Sequence, residues 1–282
     1  MSSDRMDSGR VSSDAGDLLA LAAGIALEAG SLLASFEGRV SVAATKSSPT
    51  DVVTEMDERA EALIRIRIGA ARPADAILGE EGGQTGDTSD APVRWVIDPL
   101  DGTVNYLYGL RDWAVSIAAE VGGSIVAGAV FAPRAGELFT ASLGGGAWLS
   151  SGGGERAALR CGPGVPLGQA LVATGFGYRA ERRKVQGEVV AAILPQVRDI
   201  RRGGSASVDL CSVAAGRVDA YYERGLNYWD YAAGALIAAE AGAMVGGLRG
   251  APPSTSMTVA AGPDLFGSLA SLLDGLGADR DA

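Results

Sequence analysis

The stretch WVIDPLDGTVNY, Trp95–Tyr106, joins an apolar strand to a turn that carries two acidic residues. The run 93–97 is mostly apolar and predicts a strand, which we expect to stop at Pro99 because proline cannot donate a hydrogen bond to a neighbouring strand. Asp98 ends this strand, and a tight turn formed by proline and glycine returns Asp101 to the same end. The sequence therefore predicts two carboxylates side by side at one strand end.

Two carboxylates that converge at a strand end form a hard-oxygen site suited to Mg²⁺. If Thr103 opens a short helix, the backbone N–H groups of Gly102 and Thr103 form a cradle for an anion beside that cation, which indicates phosphate chemistry. Asp-Pro and Asp-Gly are also common turn sequences, so a structural role stays open. A phosphatase with an aspartyl nucleophile in a DxDGT loop fits less well, because two residues rather than one separate Asp98 from Asp101.

Two other segments place acidic residues where they could join this site. In GEEGG, Glu80 and Glu81 directly follow a short predicted strand, although a solvated acidic loop is the alternative. In NYWDYAAG, Asp230 lies in the first turn of an apolar helix, where a carboxylate also interacts favourably with the helix N-terminus. The chain thus contains three acidic signals, each with a structural alternative.

Outward from this stretch, the periodicity predicts two helices before it, a β-meander after it and alternating elements to the end. Helical spacing of apolar residues covers 17–36 and much of 50–70, and a short strand is expected at 76–79 before the acidic loop 80–90. Turns VGGS, PRAG and LGGG separate four antiparallel strands at 113–121, 124–132, 136–142 and 146–149. Later strands are predicted at 170–173, 198–201, 218–222, 243–248 and 256–260, and helices at 181–194, 206–215, 229–241 and 264–274.

This order of elements predicts an α/β (α+β) fold of layered sheets with helices between them. No linker divides the chain, so we expect a single domain over 17–282, with an α+β half at 17–156 and an α/β half at 157–282. Residues 1–16 are rich in Ser, Asp, Gly and Arg, and we expect a flexible N-terminal tail rather than a signal peptide.

The composition excludes several classes of function. The 282 residues include no histidine, which removes catalytic triads and imidazole metal ligands. The 24 basic and 34 acidic residues leave a net charge of −10, which argues against nucleic-acid binding and is compatible with divalent cations. Cys161 and Cys211 lie in unrelated apolar settings and predict free thiols in a reducing cytoplasm. The longest apolar run, 113–132, is interrupted by Glu120, so no membrane insertion is expected.

The order of the motifs DVVTEMD, GEE, WVIDPLDGT and WDYAAG resembles that of the inositol monophosphatase family. The resemblance extends from about Asp17 to the C-terminus and is most specific to the actinobacterial SuhB-type members. It also includes KSSPTDVVTEMD at Lys46–Asp57, RRGGSASVDLC at Arg201–Cys211 and VDAYYERG at Val218–Gly225. The resemblance implies a layered αβαβα sandwich shared with fructose-1,6-bisphosphatase, a homodimer, and inhibition by lithium.

The resemblance also implies roles for individual residues. The Mg²⁺ ligands, for two or three ions, would be Glu80, Asp98, the Leu100 carbonyl, Asp101 and Asp230. Gly102 and Thr103 would bind phosphate through their backbone N–H groups, and Thr103, supported by Asp57 and Glu80, would orient the attacking water. The polyol hydroxyls would face Gly204, Ser205, Ala206 and Glu223.

These features predict a cytoplasmic, Mg²⁺-dependent hydrolase of a small phosphorylated polyol, most favourably myo-inositol 1-phosphate, with in-line attack by a metal-activated water. Phosphatases of the same fold that act on histidinol phosphate, fructose 1,6-bisphosphate or 3′-phosphoadenosine phosphate are the nearest alternative. A protein-interaction module on a phosphatase fold is the alternative from another class. A second phosphate on the substrate would require basic residues at the rim of the pocket, for which Arg202 and Arg224 are candidates.

Overall fold

The computed structural model describes residues 8–36, 42–45, 52–86, 91–152 and 154–280. Within these ranges the α-helices are α1 (Ser8–Phe36), α2 (Glu55–Ala71), α3 (Thr103–Leu107), α4 (Ala180–Ile193), α5 (Ala206–Ala214), α6 (Tyr228–Glu240) and α7 (Pro263–Gly275). Two 3₁₀ turns lie at Leu167–Gln169 and Leu194–Gln196. The first part of the motif KSSPTDVVTEMD, 46–51, and the end of the acidic loop, 87–90, lie outside the described residues.

The strands of the first half form an eight-stranded sheet and a small hairpin. The hairpin pairs β1 (Val42–Thr45) with β2 (Val52–Thr54). The large sheet has the order β10-β9-β8-β7-β6-β5-β3-β4. Its strands are β3 (Ala76–Gly79), β4 (Gly83–Thr85), β5 (Arg94–Asp101), β6 (Ala114–Val121), β7 (Ser124–Ala132), β8 (Glu137–Ser142), β9 (Gly146–Ser151) and β10 (Ala157–Ala158). The antiparallel pairing of β6 through β9 confirms the predicted meander.

The second half forms a five-stranded mixed sheet with the order β12-β11-β13-β15-β14. Its strands are β11 (Leu171–Thr174), β12 (Asp199–Arg201), β13 (Ala220–Glu223), β14 (Met244–Gly246) and β15 (Thr258–Ala261). Strands β11, β12 and β13 run parallel, because helices connect them, while β15 pairs antiparallel with β13 and β14.

The helices and sheets stack in five layers, which confirms the predicted layered fold. Helices α1 and α2 cover one face of the large sheet, α5 and α6 fill the space between the two sheets, and α4 and α7 cover the outer face of the small sheet. Strand β5 has helices on both of its faces. Trp95 and Ile97 pack on the α1–α2 side, while Val96 between them packs on the α6 side. The near-continuous apolar run of this strand is what two covered faces require.

Strand β5 is longer than predicted, because it continues through Pro99 to Asp101. Asp98 pairs with Ser116 and Asp101 pairs with Ala114, so three steps along β5 face two along β6. This extra residue is a β-bulge, and proline is tolerated in a bulge because the ladder there needs no N–H donor. The expectation that the strand stops at Pro99 was therefore wrong.

Three other bounds differ from those predicted. Strand β4 lies inside the segment predicted as an acidic loop, paired with β3. Strand β2 takes the start of the helix predicted over much of 50–70, because Thr54 caps α2 and the helix begins only at Glu55. Helix α1 begins at Ser8, inside the predicted tail. The division into a tail and one domain stays a prediction. The segment Ala15–Phe36 of α1 is long and apolar enough for a membrane span by length and composition alone, but its Leu18, Ile25 and Leu33 are buried against the large sheet.

Candidate active site

A cleft of about 370 Å³ opens where β3, β5 and β13 end and where α3, α5 and α6 begin. It brings together nearly all the predicted site residues, which come from both halves of the chain. Those that line it are Glu80, Asp98, Leu100, Asp101, Gly102, Thr103, Gly204, Ala206, Glu223 and Asp230. Strand ends and helix N-termini meet here because both halves direct their strands toward this edge.

The bulge in β5 holds Asp98 and Asp101. Asp98 is 1% exposed, and its Oδ1 accepts the Leu100 N–H at 3.0 Å. Asp101 accepts three hydrogen bonds on Oδ2: from Ser205 Oγ at 2.6 Å, and from the backbone N and Oγ of Ser207 at 2.7 and 2.5 Å. Together with a backbone hydrogen bond from Ala206, these bonds fix the carboxylate in the cleft.

Glu80 and Asp230 complete an acidic cluster around the cleft. Glu80 follows β3, and Asp230 lies in the first turn of α6, where its Oδ2 accepts the Asn227 N–H at 2.7 Å. Burial raises the pKa of Asp98 and of Asp230 well above the usual range, and mutual repulsion among Glu80, Asp98, Asp101 and Asp230 adds to it. Burial also raises the pKa of Asp101. The hydrogen bonds from Ser205 and Ser207 lower this pKa and so oppose part of the effect of burial.

The acidic cluster fits a hard divalent cation. Four carboxylates that repel each other in a buried cleft lose this penalty when a cation binds between them, and an all-oxygen donor set is the one that Mg²⁺ prefers. Within the described ranges, no three acidic or cysteine side chains already converge on one point as a metal site does. A cation would therefore draw the carboxylates of this cluster toward itself.

Thr103 stands at the start of α3, beside the acidic cluster. Its Oγ1 lies 3.0 Å from Asp57 Oδ1 and 3.1 Å from the Leu100 carbonyl oxygen, both of which are acceptors. The Thr103 hydroxyl must donate to one of them, so its oxygen can accept a hydrogen from water. Asp57 is 1% exposed and accepts the Thr54 N–H at 2.9 Å as part of the capping box of α2. The helix thus fixes the acceptor that orients Thr103.

Gly102 precedes Thr103 in a left-handed conformation, with φ of 92°. A Cβ at this position would lie 2.9 Å from the Asp112 carbonyl oxygen. Only glycine fits both constraints, so the Asp-Gly sequence here is required by the close approach of two backbone segments. Gly102 also lines the cleft.

The opposite wall of the cleft comes from the second half of the chain. Gly204 and Ala206 line the cleft on either side of Ser205, but Ser205 itself is 1% exposed, and its hydroxyl donates to Asp101. The role of Ser205 toward substrate stays a prediction, while its contact in the structure is with a proposed metal ligand. Glu223 ends β13, and its Oε2 accepts the Tyr221 hydroxyl at 2.7 Å.

The pKa of Glu223 is raised to about 7 by burial, although the Tyr221 hydroxyl and Arg202 both lower it. A Cβ on Gly175, directly after the neighbouring strand β11, would collide with the Glu223 carboxylate, so this glycine makes room for it. Glu223 therefore titrates near neutral pH and can either donate or accept a hydrogen bond.

Several residues of the site were not predicted. Ser207 contacts Asp101 directly, and the SxS spacing at the start of α5 was its only signal. Asn105 Nδ2 donates to the Gly203 carbonyl at 2.9 Å and so ties α3 to the loop before α5. Besides Arg202, which was considered for the rim, two arginines that were not predicted line the cleft, Arg179 and Arg182.

The second arginine considered for the rim lies elsewhere. Arg224 is 8% exposed, and its guanidinium donates to the Arg280 carbonyl beside a separate small cavity. Of the two candidates, Arg202 is therefore the one that lines the cleft.

Comparisons with known proteins identify the family of the chain. The inositol monophosphatase family profile matches residues 14–276. The chain is 55% identical over 203 residues to inositol-1-monophosphatase SuhB of Mycobacterium tuberculosis strain H37Rv, which covers 71% of this chain and 70% of that protein. It is 40% identical over 235 residues to Nus factor SuhB of Escherichia coli K12, covering 83% and 86%. The solved structure of Mycobacterium tuberculosis SuhB has a TM-score of 0.78 and 42% identity over 94% of this chain and 98% of that one.

Proposed function

Since this chain belongs to the inositol monophosphatase family, a family of phosphatases, we propose that it catalyses Mg²⁺-dependent hydrolysis of myo-inositol 1-phosphate to myo-inositol and phosphate. The observation that carries the proposal is the cleft that four acidic residues, including the buried Asp98, line together with Gly102 and Thr103. Mg²⁺, when bound, neutralises phosphate charge, lowers the pKa of a water and stabilises the leaving alkoxide. The rest of the chemistry falls to residues of this chain.

The proposed cation ligands, for two or three Mg²⁺ ions, are Glu80, Asp98, the Leu100 carbonyl, Asp101 and Asp230. Ser205 and Ser207 hold Asp101 in place. We assign the water that attacks phosphorus to the space between Glu80 and Thr103. The bond from Thr103 to Asp57 leaves the threonine oxygen as an acceptor for a water hydrogen, which orients the water's lone pair toward phosphorus.

The backbone N–H groups of Gly102 and Thr103 are proposed to bind the phosphate oxygens. The polyol is proposed to contact Gly204, Ala206 and Glu223 on the opposite wall. A carboxylate at Glu223 accepts hydrogen bonds from vicinal hydroxyls, which favours a ring rich in hydroxyl groups. The cleft volume of about 370 Å³ accommodates a single phosphorylated ring.

Phosphate release from a panel of monoesters, with and without Mg²⁺, tests this proposal. We expect fastest turnover with inositol 1-phosphate, loss of turnover in EDTA, and inhibition by lithium as the family resemblance implies. Equal turnover of all esters would reject the substrate, and turnover after exhaustive EDTA treatment would reject the metal requirement.

The arginine rim favours a second candidate within the same chemistry. Arg179, Arg182 and Arg202 line the cleft beside Glu223, where they would contact a second anionic group on the substrate. Fructose 1,6-bisphosphate and 3′-phosphoadenosine phosphate carry such a group, so both belong in the panel. A kcat/KM for either that exceeds the value for inositol 1-phosphate would favour this candidate.

A candidate from another class comes from the relatives' names. The chain is 40% identical to proteins called Nus factor SuhB from Escherichia coli and Vibrio cholerae, as well as 55% identical to one called an inositol-1-monophosphatase. An interaction role is compatible with an intact acidic cluster. Absence of phosphate release from every ester, with the protein folded and Mg²⁺ bound, would favour it. We also propose that the protein is cytoplasmic and forms a homodimer. Light scattering, which reports the molar mass in solution, tests the homodimer.

A further inference from the structure

We propose that Glu61 is a positioning residue, whose carboxylate holds the loop after Glu80 and thereby sets where Glu80 stands relative to Thr103. This inference rests on the proposed function, which places Glu80 among the cation ligands and beside the attacking water. Glu61 itself lies on α2, outside the residues that line the cleft.

The contacts of Glu61 are made with the two residues that directly follow Glu80. Its Oε2 accepts the backbone N–H of Glu81 at 2.8 Å, and its Oε1 accepts that of Gly82 at 2.7 Å. Glu61 is only 3% exposed. A buried carboxylate with two backbone donors is costly to displace, because each lost bond removes a hydrogen bond from a charged group that water cannot reach. These two bonds therefore restrict the backbone immediately after Glu80.

Arg65 orients this carboxylate and extends the connection to β4. Its Nε donates to Glu61 Oε1 at 2.7 Å, and its two terminal nitrogens donate to the Gly83 carbonyl at 2.6 Å and to Thr85 Oγ1 at 2.9 Å. The ion pair offsets the burial of the Glu61 charge, and the planar guanidinium fixes the direction of its oxygens. One ion pair on α2 thus binds both the turn after Glu80 and strand β4.

The glycines of GEEGG permit this close approach. A Cβ on Gly79, before Glu80, would lie 2.7 Å from Glu61 Oε1, and a Cβ on Gly82 would lie at the same distance from it. Any side chain at either position would push the carboxylate away. The glycines therefore serve the contact with Glu61, in addition to the turn itself.

Glu61 and Asp57 lie four residues apart on α2, so both project from the same face of the helix. Asp57 accepts the hydrogen bond of Thr103, and Glu61 holds the loop of Glu80. Four residues of helix span about 6 Å along its axis. The two groups proposed to orient the water are thus held by two carboxylates one turn apart on one rigid helix, which sets their separation.

Glu61→Gln tests this inference, with Glu55→Gln as the matched control. Glu55 forms the same kind of i,i+4 pair on α2, with Arg59, but its side chain is 64% exposed. The readout is Mg²⁺ binding to the full chain by calorimetry after removal of metal with EDTA. We expect Glu61→Gln to weaken Mg²⁺ binding about ten- to hundredfold, as loss of a group that orients a metal ligand does, and to lower kcat at saturating Mg²⁺. Glu55→Gln should stay within about twofold of the parent, since exposed pairs contribute little.

Gly82→Ala displaces the Glu61 carboxylate without removing its charge and decides the matter if Glu61→Gln does not fold. Gly69→Ala adds the same methyl to the exposed side of α2, where nothing lies within 4 Å, and should bind Mg²⁺ as the parent does. Parent-like Mg²⁺ affinity and kcat in both folded Glu61→Gln and Gly82→Ala would overturn the inference, even if their thermal stability fell. A parent that binds Mg²⁺ but releases no phosphate would reject the proposed function alone, whereas a parent that binds no Mg²⁺ would reject both.

Discussion

Replacement of Glu223 by glutamine should stabilise the metal-free protein at alkaline pH while it weakens discrimination between substrates. Glu223 lies at the end of β13 with its Oε2 against the Tyr221 hydroxyl, and burial raises its pKa from 4.5 to about 7. A glutamine oxygen can still accept the Tyr221 hydrogen bond, but no charge then has to be buried. Glu223→Gln therefore removes the free-energy cost of burying a negative charge while it keeps the shape of the side chain.

The size of the stabilisation follows from the pKa shift. The difference of 7 − 4.5 = 2.5 pH units corresponds to about 3 kcal/mol at 1.36 kcal/mol per unit. Because the folded state binds this proton more tightly than the unfolded chain, the Glu223 contribution to the free energy of unfolding is largest below pH 4.5. It is lost as the pH rises from 4.5 to 7. Glutamine has no such dependence, so Glu223→Gln should exceed the parent in stability by up to about 3 kcal/mol at pH 8, with the difference shrinking toward pH 5.

Urea unfolding in EDTA at pH 5 and pH 8 measures the stability difference, and kinetics measure the discrimination. Loss of a hydrogen bond to a substrate hydroxyl should cost about 1 to 3 kcal/mol, or about 5- to 150-fold, in the ratio of kcat/KM for inositol 1-phosphate to that for an aryl phosphate. A stability difference between variant and parent that is the same at both pH values would refute the burial argument. An unchanged kcat/KM ratio would refute the selective role, even if both activities fell together.

Three further changes test the cation site and its surroundings. Addition of EDTA should abolish phosphate release, and added Mg²⁺ should restore it. Phosphate release in the absence of any divalent cation would contradict the interpretation of the acidic cluster as a metal site. Asp101→Asn should retain the fold by circular dichroism but lower kcat by several orders of magnitude, because the amide keeps the shape and loses the charge; near-parent turnover would leave Asp101 as a turn residue only. Gly102→Ala should lower the free energy of unfolding by at least about 1 kcal/mol, because its φ of 92° and the 2.9 Å approach to Asp112 exclude a Cβ; an unchanged urea midpoint would contradict this.

Most elements could be predicted because their signals are local. Apolar periodicity placed α5, α6 and α7 within a few residues, and glycine-rich turns placed the four strands of the meander. The extent of β5 could not be predicted in this way, because Pro99 breaks a ladder in most strands and is tolerated here only by a bulge that depends on the register of β6. Propensity describes a residue alone, whereas register is a property of two strands.

The order of acidic motifs, with the family resemblance that it carries, predicted four carboxylates for one site, and Glu80, Asp98, Asp101 and Asp230 all line one cleft. Only the tertiary structure decided what surrounds them. Ser205 and Ser207 turn to Asp101 across more than 100 positions of sequence, and Glu61 reaches the loop of Glu80 from a different element. Few side-chain types ligate a hard cation, so candidate ligands can be recognised in a motif. Many side chains and backbone groups can donate a hydrogen bond to a ligand or accept one from its loop, so the residues that hold the ligands have no such motif. Their places beside the ligands exist only after the two halves of the chain have packed together.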